Sequence, residues 1–118
     1  TLFRSPHAEF APGPGPSSAD IRAGWDLWLP PGAGRRHPDV SPLFAANLAA
    51  MPRTYLLTAG HDSLRDEGLQ FASRLAAAGV PLTHTHLEDH IHGFITYPAA
   101  FTAARDAIRE IAAFLALR

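Results

Sequence analysis

The sequence predicts an α/β fold in which two parallel strands are covered by helices, and three features carry that expectation. Tyr55-Leu56-Leu57-Thr58-Ala59 is a short, mostly apolar run closed by Gly60, as suits a buried parallel strand. Leu82 to Leu87 is a second strand, with β-branched Thr83 and Thr85 on one face. Between and after these runs, apolar residues recur at the 3.6-residue helical period. A strand–helix–strand unit with a crossover of this length implies parallel strands and a right-handed connection.

Residues 1–40 hold most of the prolines and glycines, as in Ala11-Pro12-Gly13-Pro14-Gly15-Pro16 and Pro30-Pro31-Gly32-Ala33-Gly34. Proline removes backbone donors and glycine adds chain entropy, so this part reads as an irregular segment. It contains one short helix, Ser18 to Leu29, with Ser18 or Asp20 near its start and Ile21, Trp25, Trp28 and Leu29 as its apolar stripe. Residues 41–118 form the second, strongly periodic unit. Its first helix has Ser63 as N-cap and Asp66 three residues later, close to a capping box. Leu64, Gly68, Phe71, Ala72 and Leu75 form its buried face, with Gly68 permitting close packing on the sheet. Gly79 ends it and Pro81 prevents continuation. The last helix starts near Pro98 and runs to about Leu117. It buries Phe101, Ala104, Ile108, Ile111 and Leu115, and turns Arg105, Asp106, Arg109 and Glu110 to water.

Composition narrows the function classes. The chain has 118 residues, a formal charge of −1 and no cysteine, so disulfides and thiolate metal sites are out. Charges of both signs are interspersed, which gives no basic face for nucleic acid and no polybasic patch for a membrane surface. No apolar run approaches the ~20 residues of a spanning helix. The opening Thr1-Leu2-Phe3-Arg4 has neither an initiator Met nor a signal-peptide pattern, and a cytoplasmic location is the expectation. Two parallel strands alone make an incomplete sheet with an open apolar edge. The remaining strands are expected from residues 1–10, from a segment ahead of Thr1, or from another chain.

The chemistry sits at the two strand ends. Asp62 follows the first strand and His92 comes a few residues after the second. Carboxyl ends of parallel strands form the rim where catalytic groups collect in open α/β sheets. A carboxylate beside an imidazole accepts the Nδ1 proton, fixes the tautomer, and stabilises the imidazolium once the other nitrogen is protonated.

Ser41-Pro42-Leu43, then Gly60-His61-Asp62-Ser63-Leu64-Arg65-Asp66-Glu67-Gly68, then Ala78-Gly79-Val80-Pro81, then His92-Gly93-Phe94, resembles the C-terminal part of the hormone-sensitive-lipase-like group of α/β-hydrolase esterases. The resemblance implies that Asp62 is the acid and His92 the base of a Ser-His-Asp triad, with Ser63 standing where the pattern has proline. It implies a carboxylic ester hydrolase acting on a small-molecule ester, with no metal or organic cofactor. It also links residues 20–43 to a cap over the site, in which Trp25 and Trp28 either line an acyl pocket or serve as plain packing.

Departures from the pattern are equally informative. The oxyanion-hole His-Gly-Gly box and the Gly-x-Ser-x-Gly elbow are both absent, and none of the six serines is flanked in that way. The serine is therefore expected ahead of Thr1, in a missing N-terminal half on the same or a separate chain, and the 118 residues alone are expected to be inactive. Two other readings stand beside this one. His84, His86, His90 and His92, with Asp89 between and His61 and Asp62 to supply the rest, offer the residue types of a metal hydrolase. A non-catalytic association module, pairing as a homodimer through its last strand and helix, is the second. Asp66 and Glu67 read as capping and helix-dipole residues.

Overall fold

The computed structural model describes residues 15–117. Its helices are α1 (Ser18–Trp28), α2 (Arg65–Ala77) and α3 (Thr102–Ala116), and its strands are β1 (Thr54–His61) and β2 (Leu82–Ile91). Short 3₁₀ turns lie at Pro42–Phe44 and Phe94–Thr96. The front of the Pro/Gly stretch and any strand over residues 1–10 lie outside the described residues.

β1 and β2 pair in parallel from Thr54 opposite Leu82 to Ala59 opposite Leu87, and resume at His61 opposite Ile91. Gly60 alone thus faces Glu88, Asp89 and His90, so β2 bulges. A Cβ on Gly60 would lie 1.9 Å from the Glu88 carbonyl oxygen, which leaves room only for glycine. Both strands run past the expected Tyr55–Ala59 and Leu82–Leu87. The bulge absorbs the misfit, and pairing continues through polar residues that an apolar pattern leaves in loops.

The two faces of the sheet are covered by different helices, as a parallel pair requires. α2 lies on the face of Thr58 and Leu82, where Leu75, Leu48 and Val80 are buried with Phe71 and Leu82 against them. α3 lies on the opposite face, where Ala59, Phe94, Ala104 and Ala107 form the core and Leu57 and Leu87 pack on it. Leu75 is the one large side chain fully buried among the described residues.

The ends of α2 correct one sequence expectation. Ser63 is not its N-cap: the helix begins at Arg65 behind Leu64, with no side-chain cap bond from the cap residue. The Ser63 hydroxyl is drawn elsewhere, and Asp62 Oδ1 takes the Leu64 N–H at 2.8 Å in an Asx turn. In α1, one residue earlier than expected, Ser17 is the N-cap of a full capping box with Asp20.

α3 differs in start and in rotation. Pro98 belongs to a turn, with the Ala100 and Phe101 N–H groups both donating to Tyr97 O, and the helix starts at Thr102. Ala104 and Ala107 face the sheet, while Ile108 and Leu115 of the expected buried stripe stand 43% and 69% exposed. Alanines bring the helix axis close to the strands, and Phe114 meets Tyr55 edge-on at 5.7 Å. Glu110, expected to face only water, accepts hydrogen bonds from Tyr55 Oη at 2.7 Å and Thr85 Oγ1 at 3.0 Å. These donors hold the Glu110 carboxyl below its ordinary value. No helix among the described residues is long and apolar enough to cross a membrane.

Candidate active site

Because β1 and β2 are neighbours, the residues that leave their carboxyl ends meet although 30 positions separate them. Asp62 follows the last residue of β1, and His92 follows the last residue of β2. His92 Nδ1 and Asp62 Oδ2 are 2.9 Å apart, with the Asp62 side chain 13% exposed and that of His92 39%. A carboxylate only accepts, so Nδ1 carries the proton it donates to Asp62, and the Nε2 lone pair is left to take another.

The neighbouring backbone fixes both side chains. Asp62 uses one oxygen for Leu64 N–H and the other for His92, which locks its carboxylate plane. Arg65 ties the loop from behind, donating from its guanidinium to Gly60 O at 3.2 Å and to Asp66 Oδ1 at 2.9 Å. After His92 the chain reverses through Gly93 at φ 74°, a left-handed conformation that glycine adopts without strain. The turn sends Phe94 into the α3 core at 3% exposure, anchoring His92 from its C-terminal side.

Beside the pair opens a largely apolar cleft of about 750 Å³. α1 contributes Ile21, Trp25 and Trp28, while the 3₁₀ turn adds Leu43 and Phe44 and α2 adds Phe71. Asp62 and His92 lie on its wall, so both expected tryptophans share one cavity with the expected acid and base. Their rings are 5.8 Å apart and tilted by 45°. Trp28 is 65% exposed, which sets it at the mouth rather than in a packed interior. Phe71 reads as a core position of α2 in the sequence, and only the tertiary arrangement brings it together with Leu43 and Phe44 as cleft wall.

Among the described residues, His84, His86 and His90 are engaged by other partners. Thr58 Oγ1 lies between His84 Nε2 at 2.9 Å and His86 Nδ1 at 2.8 Å, and His86 Nε2 reaches Glu88 Oε2 at 2.8 Å. Burial first, and the adjacent His86 second, hold the His84 imidazole below its ordinary value. His90 is packed edge-on against Phe94 and Phe101. Among the described residues no group of three or more His, Cys, Asp or Glu is placed to hold a metal ion, so the ligand set of the metal-hydrolase reading is not assembled.

Two parallel strands covered by helices on both faces, with Asp62 and His92 paired at their carboxyl ends, are consistent with the C-terminal portion of an α/β hydrolase. The family model described as alpha/beta hydrolase fold matches residues 3–96, and the chain belongs to that family. Within it the chain falls in the hormone-sensitive-lipase-like group. Neutral cholesterol ester hydrolase 1 of Rattus norvegicus is 48% identical over 67 residues, which cover 52% of this chain and 16% of the relative. Arylacetamide deacetylase of Oryctolagus cuniculus is 43% identical over 67 residues, covering 55% of this chain and 17% of the relative. The solved structure of an ester hydrolase from the metagenome of Lake Arreo, complexed with a bipyridine phosphonate derivative, superposes with a TM-score of 0.86 at 32% identity. The superposition covers 97% of this chain and 36% of that one. The chain thus spans less than a fifth of the length of these curated relatives.

Proposed function

We propose that these residues supply the acid and the base of a carboxylic ester hydrolase working through an acyl-enzyme. The observation that carries this reading is the 2.9 Å contact between Asp62 Oδ2 and His92 Nδ1, formed across two strand ends beside an apolar cleft. A serine and its oxyanion donors come from outside these 118 residues, since no serine here sits in a glycine-flanked elbow. His92 Nε2 takes the serine proton as the hydroxyl attacks the ester carbonyl, then returns it to the leaving alcohol. Water enters by the same route to release the acid. Asp62 holds the imidazole in the Nδ1–H tautomer and balances the imidazolium charge in each step. Trp25 and Trp28 line the place of an apolar part of a small ester, over a site built by residues 41–118 and capped from residues 1–40. The outer edge of β1 is where the rest of the sheet pairs.

The test compares two proteins. The purified 118-residue chain should hydrolyse a short p-nitrophenyl ester no faster than its Asp62→Ala, His92→Ala control. The intact hydrolase carrying these residues should turn that ester over and lose the activity in His92→Ala. Turnover by the isolated chain that disappears in the double variant would place a nucleophile within it and overturn the division of labour.

A further inference from the structure

Resting on the reading of Asp62 and His92 as acid and base, we infer that Ser63 is a positioning residue: its hydroxyl clasps the strap Gly15–Ser17 across the pair and couples the cap helix to it. Ser63 directly follows Asp62 and is 4% exposed. Its Oγ donates to the carbonyl of Pro16, 47 residues away, at 3.1 Å. One residue before Pro16, Gly15 lies against the other member of the pair, since a Cβ built on it would sit 3.4 Å from His92 Cβ. One residue after Pro16, Ser17 caps α1 through its box with Asp20. Three consecutive residues therefore touch the His92 side, the Asp62 loop and the start of the helix that carries Trp25 and Trp28.

The arrangement has a mechanical consequence. The entry of α1 is tied to the acid loop by the Ser63 hydrogen bond, beside the contact of Gly15 with His92, so the two tryptophans take part of their placement relative to the acid–base pair from Ser63. Asp62, an acceptor toward both Leu64 and His92, has no proton to donate to the Pro16 carbonyl. The neighbouring hydroxyl performs that task. Ser63 touches neither substrate nor the transferred proton. It sets where a bulky group rests in the cleft, and its effect belongs in KM more than in kcat.

The test uses the intact hydrolase with Ser63→Ala, Ser63→Pro and Ser63→Thr, and Asp62→Asn in parallel. In the alanine and proline variants, amide exchange at residues 18–21 should rise about fivefold, the factor one neutral hydrogen bond is worth. KM for a bulky aromatic ester should rise by a similar factor while kcat moves less than twofold. Threonine, which keeps the hydroxyl, should restore both, and the threonine–proline comparison decides the matter if the alanine variant does not fold. Unchanged exchange at 18–21, or faster exchange spread evenly through α3 with KM unmoved, overturns the clasp. If Asp62→Asn keeps full activity the triad reading falls, and exchange at 18–21 still decides the clasp by itself.

Discussion

Replacing Gly60 by alanine probes the junction on which the contact between Asp62 and His92 depends. The new methyl carbon would lie 1.9 Å from Glu88 O, 2.6 Å from Glu88 C and 2.7 Å from Glu88 Cα. All three neighbours are backbone, so no rotamer change relieves the overlap. Restoring normal contact requires β1 and β2 to part by about 1 Å at the bulge, which costs at the upper end of overpacking, ~3 kcal/mol. The displacement falls two residues before Asp62 and four before His92. A misplacement of ~1 Å at reacting groups lowers turnover by ~10²-fold. Urea denaturation and kcat on a p-nitrophenyl ester, both in the intact hydrolase, read the two effects. Gly24→Ala is the control for stability, because a Cβ there meets nothing within 4 Å and alanine should stabilise α1 by up to ~1 kcal/mol. A Gly60→Ala protein within ~0.5 kcal/mol of the parent and with undiminished kcat would refute the reasoning, since surface-like tolerance is incompatible with a closed bulge.

Gly68→Ala should also destabilise, by less: its methyl meets Thr58 Cγ2 at 2.7 Å, and Thr58 is held in place by His84 and His86. Overpacking of ~1–3 kcal/mol there outweighs the ~1 kcal/mol of helix propensity gained, and a Thr58→Ala background should reverse the sign in urea unfolding. His84 titrates below its ordinary value of 6.5 in the fold, so its protonation favours the unfolded chain. Stability should therefore drop as pH falls below 6.5 toward the lowered value, and the slope should flatten in His84→Gln; equal slopes in parent and variant would dismiss this cause. The isolated 118-residue chain should self-associate in sedimentation, because the outer edge of β1 is unpaired among the described residues and Ile108 and Leu115 of α3 are exposed. A monomer with strong amide protection across residues 55–59 would contradict that expectation.

The fold class was legible because both of its signals are local. The Tyr55 and Leu82 runs are apolar over a strand's length, and α2 carries its helical period and its Gly79 stop. The Asp62–His92 meeting followed from topology, since parallel neighbours must end side by side. Harder to read were features decided by partners distant in the chain. Ser63 has the chemistry of an N-cap, yet a carbonyl 47 residues away takes its hydroxyl and Asp62 serves the Leu64 N–H instead. In α3 the stripe holds at Ala104 and fails at Ile108 and Leu115: Ala107 looks like a weak core former beside them, whereas close approach to the sheet favours the smaller residue. The bulge opposite Gly60 leaves only a glycine as its trace in sequence, which a strand end would leave equally. Trp25 and Trp28 read as a stripe that either lines a pocket or packs, and it takes the tertiary structure to place both on the cleft wall.

The proposed role of Asp62, holding His92 as the base of an ester-hydrolysing triad, is read out by kcat of Asp62→Asn in the intact hydrolase. The asparagine keeps the size of the side chain, and its carbonyl oxygen still accepts from Leu64 N–H, so unfolding by urea should change little. Its amide presents a donor to His92 Nδ1, which selects the wrong tautomer and leaves the imidazolium without a counter-charge. kcat should fall ~10⁴-fold with the fold retained. An unchanged kcat in a folded Asp62→Asn protein would contradict that role, reducing Asp62 to the residue that closes the turn before α2 and passing the acid role elsewhere, with Asp66 the first candidate.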